Sequence, residues 1–136
     1  MANYKIEDIE GIGEVTGKKF RDAGVKDTDS LLAACTTPSA RAKLAETVGL
    51  STAQVLRFAN MADLYRVSGI GSEYAQLLEA AGVDTVPALA RRSPTNLAAT
   101  LAEVNAEKKL TRRAPPEADV AKWVAQAKEL PRVLEY

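Results

Sequence analysis

The chain has 136 residues, 46% of them hydrophobic, and its 18 basic and 18 acidic side chains cancel. That is enough apolar material for one domain, or for two small halves sharing a core. Charge also balances within each half, nine of each sign in residues 1–66 and nine of each in residues 67–136, which excludes a global field drawing the protein onto nucleic acid or an anionic membrane.

Alternating β-branched runs are absent, while Ala, Leu, Glu, Lys and Arg recur with three- and four-residue apolar spacing, so the fold class is all-α. A short helix is expected around Lys5 to Glu10, then a Gly-Ile-Gly turn, then a helix from about Glu14 to Ala23 stopped by Gly24. Asp27 to Ala34 gives the next helix, entered through an Asp or Thr cap. Pro38 opens another that runs to about Val48 and ends at Gly49. Ser51 caps a long helix through Val55, Phe58, Ala59 and Ala62. After Gly69-Ile70-Gly71 the order repeats, with helices near Ser72 to Ala81, Val86 to Arg91, Pro94 to Val104 and Glu117 to Leu130. Between the last two lies a basic, proline-stopped loop, Lys108 to Pro116.

The order repeats because the sequence does. Gly11-Ile12-Gly13-Glu14-Val15-Thr16-Gly17 returns as Gly69-Ile70-Gly71-Ser72-Glu73-Tyr74-Ala75, and Ala23-Gly24-Val25 as Ala81-Gly82-Val83. Leu31 and Leu89 share the same offset of 58, whereas Val55, Phe58 and Ala62 match Val120, Trp123 and Ala127 at an offset of 65. The difference of seven is an insertion assigned to the basic loop. Residues 1–66 and 67–136 are therefore two halves, each a hairpin closed by helices, packed together as one globular domain about a pseudo-twofold axis because neither half buries much alone.

Glycines in such a turn take backbone angles closed to other residues and leave N–H groups exposed at the positive end of the following helix, which suits a phosphate. Gly71 is expected to need a positive φ. Ile12 and Ile70 plug each turn into the core, Gly17 and Ala75 stay small where the hairpin helices meet, and Phe20 and Leu78 anchor the second helix. The same turn serves equally well as nothing more than a tight helix–helix joint.

These residues resemble the helix-hairpin-helix family, whose signature is an apolar–glycine pair, a small residue four places on and an aliphatic one three later. The whole chain is similar to a bacterial domain-of-unknown-function family built from two such units. The resemblance implies sequence-independent contact with the nucleic-acid backbone through turn N–H groups and a nearby Lys or Arg. It also implies that hairpin carbonyls can hold a monovalent cation together with DNA.

The two copies differ in what they offer. Gly11 and Gly13 with Lys18 and Lys19 form a credible phosphate clamp. Glu10 and Glu14 flank it and weaken it by roughly several tenths to a few kcal/mol at effective dielectrics of about 20 to 80. The second copy has Gln76 and Leu77 in place of the lysines, with Glu73 and Glu79 close by, and reads as a structural copy. Lys108, Lys109, Arg112 and Arg113 make a second basic cluster on a loop, suited to a nucleic-acid backbone, to an acidic partner or to plain solvation.

Chemistry finds little footing. There is no histidine, and no Ser or Cys with an evident base. Cys35 is the single cysteine, which excludes an intramolecular disulfide and a multi-thiolate metal site and fits a reducing compartment. It reads as a small buried hydrophobe. Phe58 and Trp123 read as core anchors of the closing helices and not as stacking platforms. Nothing approaches about 18 uninterrupted apolar residues, so no membrane span and a cytoplasmic location are expected. The sequence describes a non-catalytic binding module with no cofactor and no metal. It contacts nucleic acid weakly through the first hairpin or, alternatively, serves as a protein-interaction or scaffold module that keeps the fold without binding DNA.

Overall fold

In the computed structural model, which describes residues 3–136, every regular element is helical. The described chain divides into two units. Residues 3–63 together with Arg132–Tyr136 form one, and Leu64–Pro131 the other. The C-terminal pentapeptide thus groups with the first unit, although it follows the second in sequence.

The first unit holds a 3-10 helix at Ile6–Asp8 and helices α1 (Glu14–Asp22), α2 (Thr28–Ala34), α3 (Pro38–Val48) and α4 (Thr52–Leu64), the division falling at the last residue of α4. The expected helix over Lys5 to Glu10 is this shorter 3-10 turn. Its backbone is diverted to other partners, since Ile6 N donates to Lys26 O at 3.0 Å and Ile12 N to Ile9 O at 3.0 Å. The second unit holds α5 (Ser72–Ala80), α6 (Val86–Ala90), α7 (Pro94–Lys108) and α8 (Glu117–Glu129), with α8 against α6 and α7, and α5 against α7.

Local chemistry explains where these helices begin and end. Asp27 caps α2 by accepting from Ser30 N at 2.8 Å, Thr37 caps α3 from Ala40 N at 3.1 Å, and Thr85 caps α6 from Ala88 N at 3.1 Å. Ser51 and Gln54 form a reciprocal box on α4, Gln54 N donating to Ser51 Oγ and Ser51 N to Gln54 Oε1. At the other end, Gly49 closes α3 in the left-handed region at φ 72°.

Helix α7 runs to Lys108, four residues beyond the expected Val104, and Lys109 then takes the left-handed cap at φ 52°. The seven-residue insertion is therefore not confined to the basic loop. Against the first unit, α7 exceeds α3 by four residues, the loop after it is five longer, and α6 is two shorter than α2.

The last five residues are held by specific contacts within their unit. Glu135 N donates to Thr36 O at 2.8 Å, the Tyr136 hydroxyl to Asn60 Oδ1 at 2.8 Å, and Leu134 is buried. The Tyr136 ring lies 5.6 Å from the Arg41 guanidinium and 5.5 Å from that of Arg132. Arg41 is itself buried and donates to Cys35 O at 2.9 Å. Burial pushes the Cys35 thiol up to about 11 against the pull of Arg41, so it stays a neutral hydrophobe near neutrality.

Gly17 is small for a different reason from a simple helix–helix approach. A Cβ there would stand 2.6 Å from Glu7 Oε2 and 2.8 Å from Glu7 Cγ, on the 3-10 helix. Gly17→Leu is expected to displace Glu7 and lower stability by about 1 to 3 kcal/mol, read as a shift in the denaturant midpoint. An unmoved midpoint would mean that Glu7 swings aside freely.

Candidate functional site

The two Gly-Ile-Gly turns are built bond for bond alike. Ile9 N donates to Ile6 O and Ile12 N to Ile9 O, as Val67 N does to Leu64 O and Ile70 N to Val67 O. Gly11 and Gly69 carry the positive φ, 96° and 93°. Gly13 and Gly71 follow at φ −93° and −102° with ψ −166° in both, as the residues that lead into α1 and α5. The expectation for Gly71 is thus corrected: its backbone is extended, and the position that demands glycine lies two residues earlier. At the far end, Val25 N to Phe20 O and Val83 N to Leu78 O are both 2.8 Å, with Gly24 and Gly82 at φ 87° and 88°.

An aromatic ring from the unit's own closing helix supports each turn. A Cβ on Gly11 would stand 3.1 Å from Phe58 Cε1, and one on Gly69 would stand 3.0 Å from Trp123 Nε1. Phe58 and Trp123 are buried, as are Ile12, Ile70, Gly17, Ala75, Phe20 and Leu78. Phe58 meets Phe20 edge to face at 6.2 Å, whereas Trp123 meets Tyr74 at 5.2 Å with a 55° tilt.

What the first turn presents to solvent follows from this frame. Gly11, Gly13, Lys18 and Lys19 are all exposed. The N–H groups of Gly11 and Gly13 donate to no acceptor among the described residues, and they sit at the start of α1 where the helix dipole is positive. Lys18 pairs with Asp22 at 3.2 Å, with both side chains largely exposed, a contact worth little and easily exchanged. A guanidinium from α4 joins the turn, since Arg57 Nη1 would lie 3.3 Å from a Gly11 Cβ. Sequence reasoning missed Arg57, because only the fold returns α4 to the turn. The one available hint was its place next to Phe58.

Arg21, the remaining basic residue of α1, is committed elsewhere. Its Nε and Nη2 donate to Glu7 Oε2 and Oε1 at 2.7 and 2.6 Å, a two-pronged pair. The Arg21 hydrogen bonds, helped by the Glu7 backbone, hold the Glu7 carboxyl at about 2 against its ordinary 4.5. A depressed carboxyl contributes stability that is present above the unfolded value and lost as pH falls toward the folded one. The difference in melting temperature between wild type and Glu7→Gln is therefore expected to be constant above about pH 5 and to shrink between about pH 4.5 and 2. A pH-independent difference would show that the pair does not form in solution.

The second turn lacks this basic dressing. Leu77 is buried and Gln76 half-buried where the first copy exposes Lys18 and Lys19. Gln126 clips the turn instead, accepting from Ser68 N at 3.0 Å and donating to Ser68 O at 3.4 Å. The equivalent residue in the first unit, Met61, offers no such bond.

The basic loop lies in the second unit and the first turn in the other. Lys108, Lys109, Arg112 and Arg113 are exposed. The loop is tied to α7, with Thr111 N donating to Asn105 Oδ1 at 2.9 Å and Asn105 Nδ2 to Thr111 O at 3.1 Å, and Pro115 is buried. Among the described residues there is no group of three or more His, Cys, Asp or Glu side chains placed to hold a metal ion. No helix of the described residues is long and apolar enough to cross a membrane.

An all-helical chain with a duplicated glycine turn, each copy propped by an aromatic from its own closing helix, is the class that these observations define. The chain belongs to the family described as a domain of unknown function, DUF4332, whose profile matches residues 10–130. That span takes in both turns and all eight α-helices of the described residues. No curated protein and no solved structure matches the chain.

Proposed function

We propose that this protein is a non-catalytic binding module whose two turns are helix-hairpin-helix units, the first of which contacts a nucleic-acid backbone weakly and without sequence preference. The observation that carries this reading is the first turn itself. Two unengaged glycine N–H groups at a helix start stand with exposed Lys18 and Lys19 one turn on and the Arg57 guanidinium beside them. Lys108 at the end of α7, with Lys109, Arg112 and Arg113 on the loop tied to it, offers a separate basic contact in the other unit. Zero net charge keeps the binding weak, because no long-range field supplements these local contacts.

Fluorescence anisotropy with labelled single- and double-stranded DNA, at low and at physiological salt, tests this reading. Wild type is expected to bind at low salt and release as salt rises. Lys18→Ala/Lys19→Ala should weaken binding and flatten the salt slope by about one unit for each phosphate no longer neutralised. Absence of binding even at low salt would rule out nucleic acid as the ligand.

A second reading, a protein-interaction or scaffold module, rests on Val15. It is a large apolar side chain left 72% exposed on the first turn of α1, immediately beside the glycine turn. In that case Val15→Ser should abolish partner capture while Lys18→Ala/Lys19→Ala leaves it intact.

A further inference from the structure

The second turn, stripped of lysines, opens onto a cleft of about 340 Å³ between the turn and α8, lined by Ser68, Gly69, Tyr74, Asp119, Lys122 and Trp123. This volume is at the lower end of the range of small-molecule sites, about 300 to 1,000 Å³. Trp123 is only 3% exposed, yet its indole N–H has no acceptor among the described residues. No side-chain polar atom of those residues is both fully buried and unpartnered, so this N–H reaches the cleft instead of being sealed beneath it. An indole N–H can only donate and cannot lose its proton, so it calls for an acceptor from a ligand or from water.

The charges at the rim narrow the class. Asp119 and Lys122 sit three apart on α8, on one helix face, and neither forms an ion pair among the described residues. A simple anion would satisfy Lys122 and the indole but face Asp119, and a simple cation would face Lys122. A small zwitterion answers both. We propose that this cleft binds a free α-amino acid, its carboxylate on the Trp123 indole N–H and Lys122, its ammonium on Asp119, and its side chain along the Tyr74 ring. The Ser68 hydroxyl, which makes no bond of its own among the described residues, supplies one further polar contact at the mouth.

Trp123 is the only tryptophan in the chain, so its emission reports this cleft directly. The full chain would be titrated with L-alanine and L-leucine and, in separate arms, with propionate, propylamine and inorganic phosphate. The expected result is a saturable emission change with the amino acids and responses at least about tenfold weaker in the single-charge arms. Lys122→Gln and Asp119→Asn, both at the rim of the cleft, should each weaken amino-acid binding by about threefold to tenfold. Calorimetry on Trp123→Phe, which keeps a ring but removes the N–H, should show a comparable loss. No saturable change with either amino acid, a phosphate response equal to theirs, or affinities indifferent to the Lys122 and Asp119 substitutions would each overturn the assignment.

Discussion

Gly69→Val is expected to lower the stability of the second unit by about 2 to 4 kcal/mol. Two costs combine. A β-branched residue held at φ 93° lies far outside its favoured backbone region, a strain of roughly 1 to 3 kcal/mol. Its Cβ would also meet Trp123 Nε1 at 3.0 Å, so the indole must shift off the turn and give up part of its packing. Gly71→Val is the matched control. At φ −102° and ψ −166° it takes an extended backbone, so no positive-φ strain arises there and the only cost is the poorer N-cap, at about 1 kcal/mol. Denaturant titration followed by the single tryptophan separates the two. Equal losses would show that the turn relaxes and that positive φ at Gly69 is not what fixes its identity.

The same pair of glycines shows how far the sequence could be read. Helix starts were legible because their signals are local: Asp27 and Ser51 cap with a side chain within three residues and Pro38 opens α3, while Thr37, Thr85 and Ser93 are caps that the structure adds. The duplicated turn was legible because its glycines recur at one offset. Which glycine of Gly-Ile-Gly bears the positive φ was not, since both positions lack a side chain and only the ladder of hydrogen bonds decides between them. Helix α7 overran its expected end for a related reason. Lys109 adopts a left-handed cap without being glycine, helped by the Asn105–Thr111 clip that no periodicity reveals.

Site residues split along the same line. Gly11, Gly13, Lys18 and Lys19 are neighbours in the chain, so their common exposure on one turn was within reach of sequence. Arg57 beside Gly11, the Glu7–Arg21 pair that commits Arg21 away from the turn, and the cleft that joins Ser68 to α8 depend on segments brought together across 14 to 58 residues. Duplication gave the two units the same scaffold, and small substitutions on it gave them different surfaces. Lysines dress the first turn, whereas in the second a glutamine clip and an open indole define a cleft.

Phe58→Ala is expected to lower the stability of the first unit by about 3 to 5 kcal/mol. Phe58 is 6% exposed, meets Phe20 edge to face at 6.2 Å, and brings its Cε1 to within 3.1 Å of where a Gly11 Cβ would stand. Truncation removes buried apolar surface, breaks the aromatic pair and leaves a void directly under the turn, which cannot collapse without moving Gly11. Phe58→Leu restores most of the volume but no ring edge, and about half the loss is expected. The ring lies directly under Gly11, so if the first turn is the nucleic-acid contact proposed above, Phe58→Leu should weaken DNA binding at low salt while Lys18 and Lys19 remain in place, with the salt slope unchanged since no charge is removed. Circular dichroism in denaturant gives the stability and anisotropy the binding. A loss under about 1 kcal/mol for Phe58→Ala would mean that α4 does not support the turn, and intact binding in Phe58→Leu would separate the phosphate contact from the geometry beneath it.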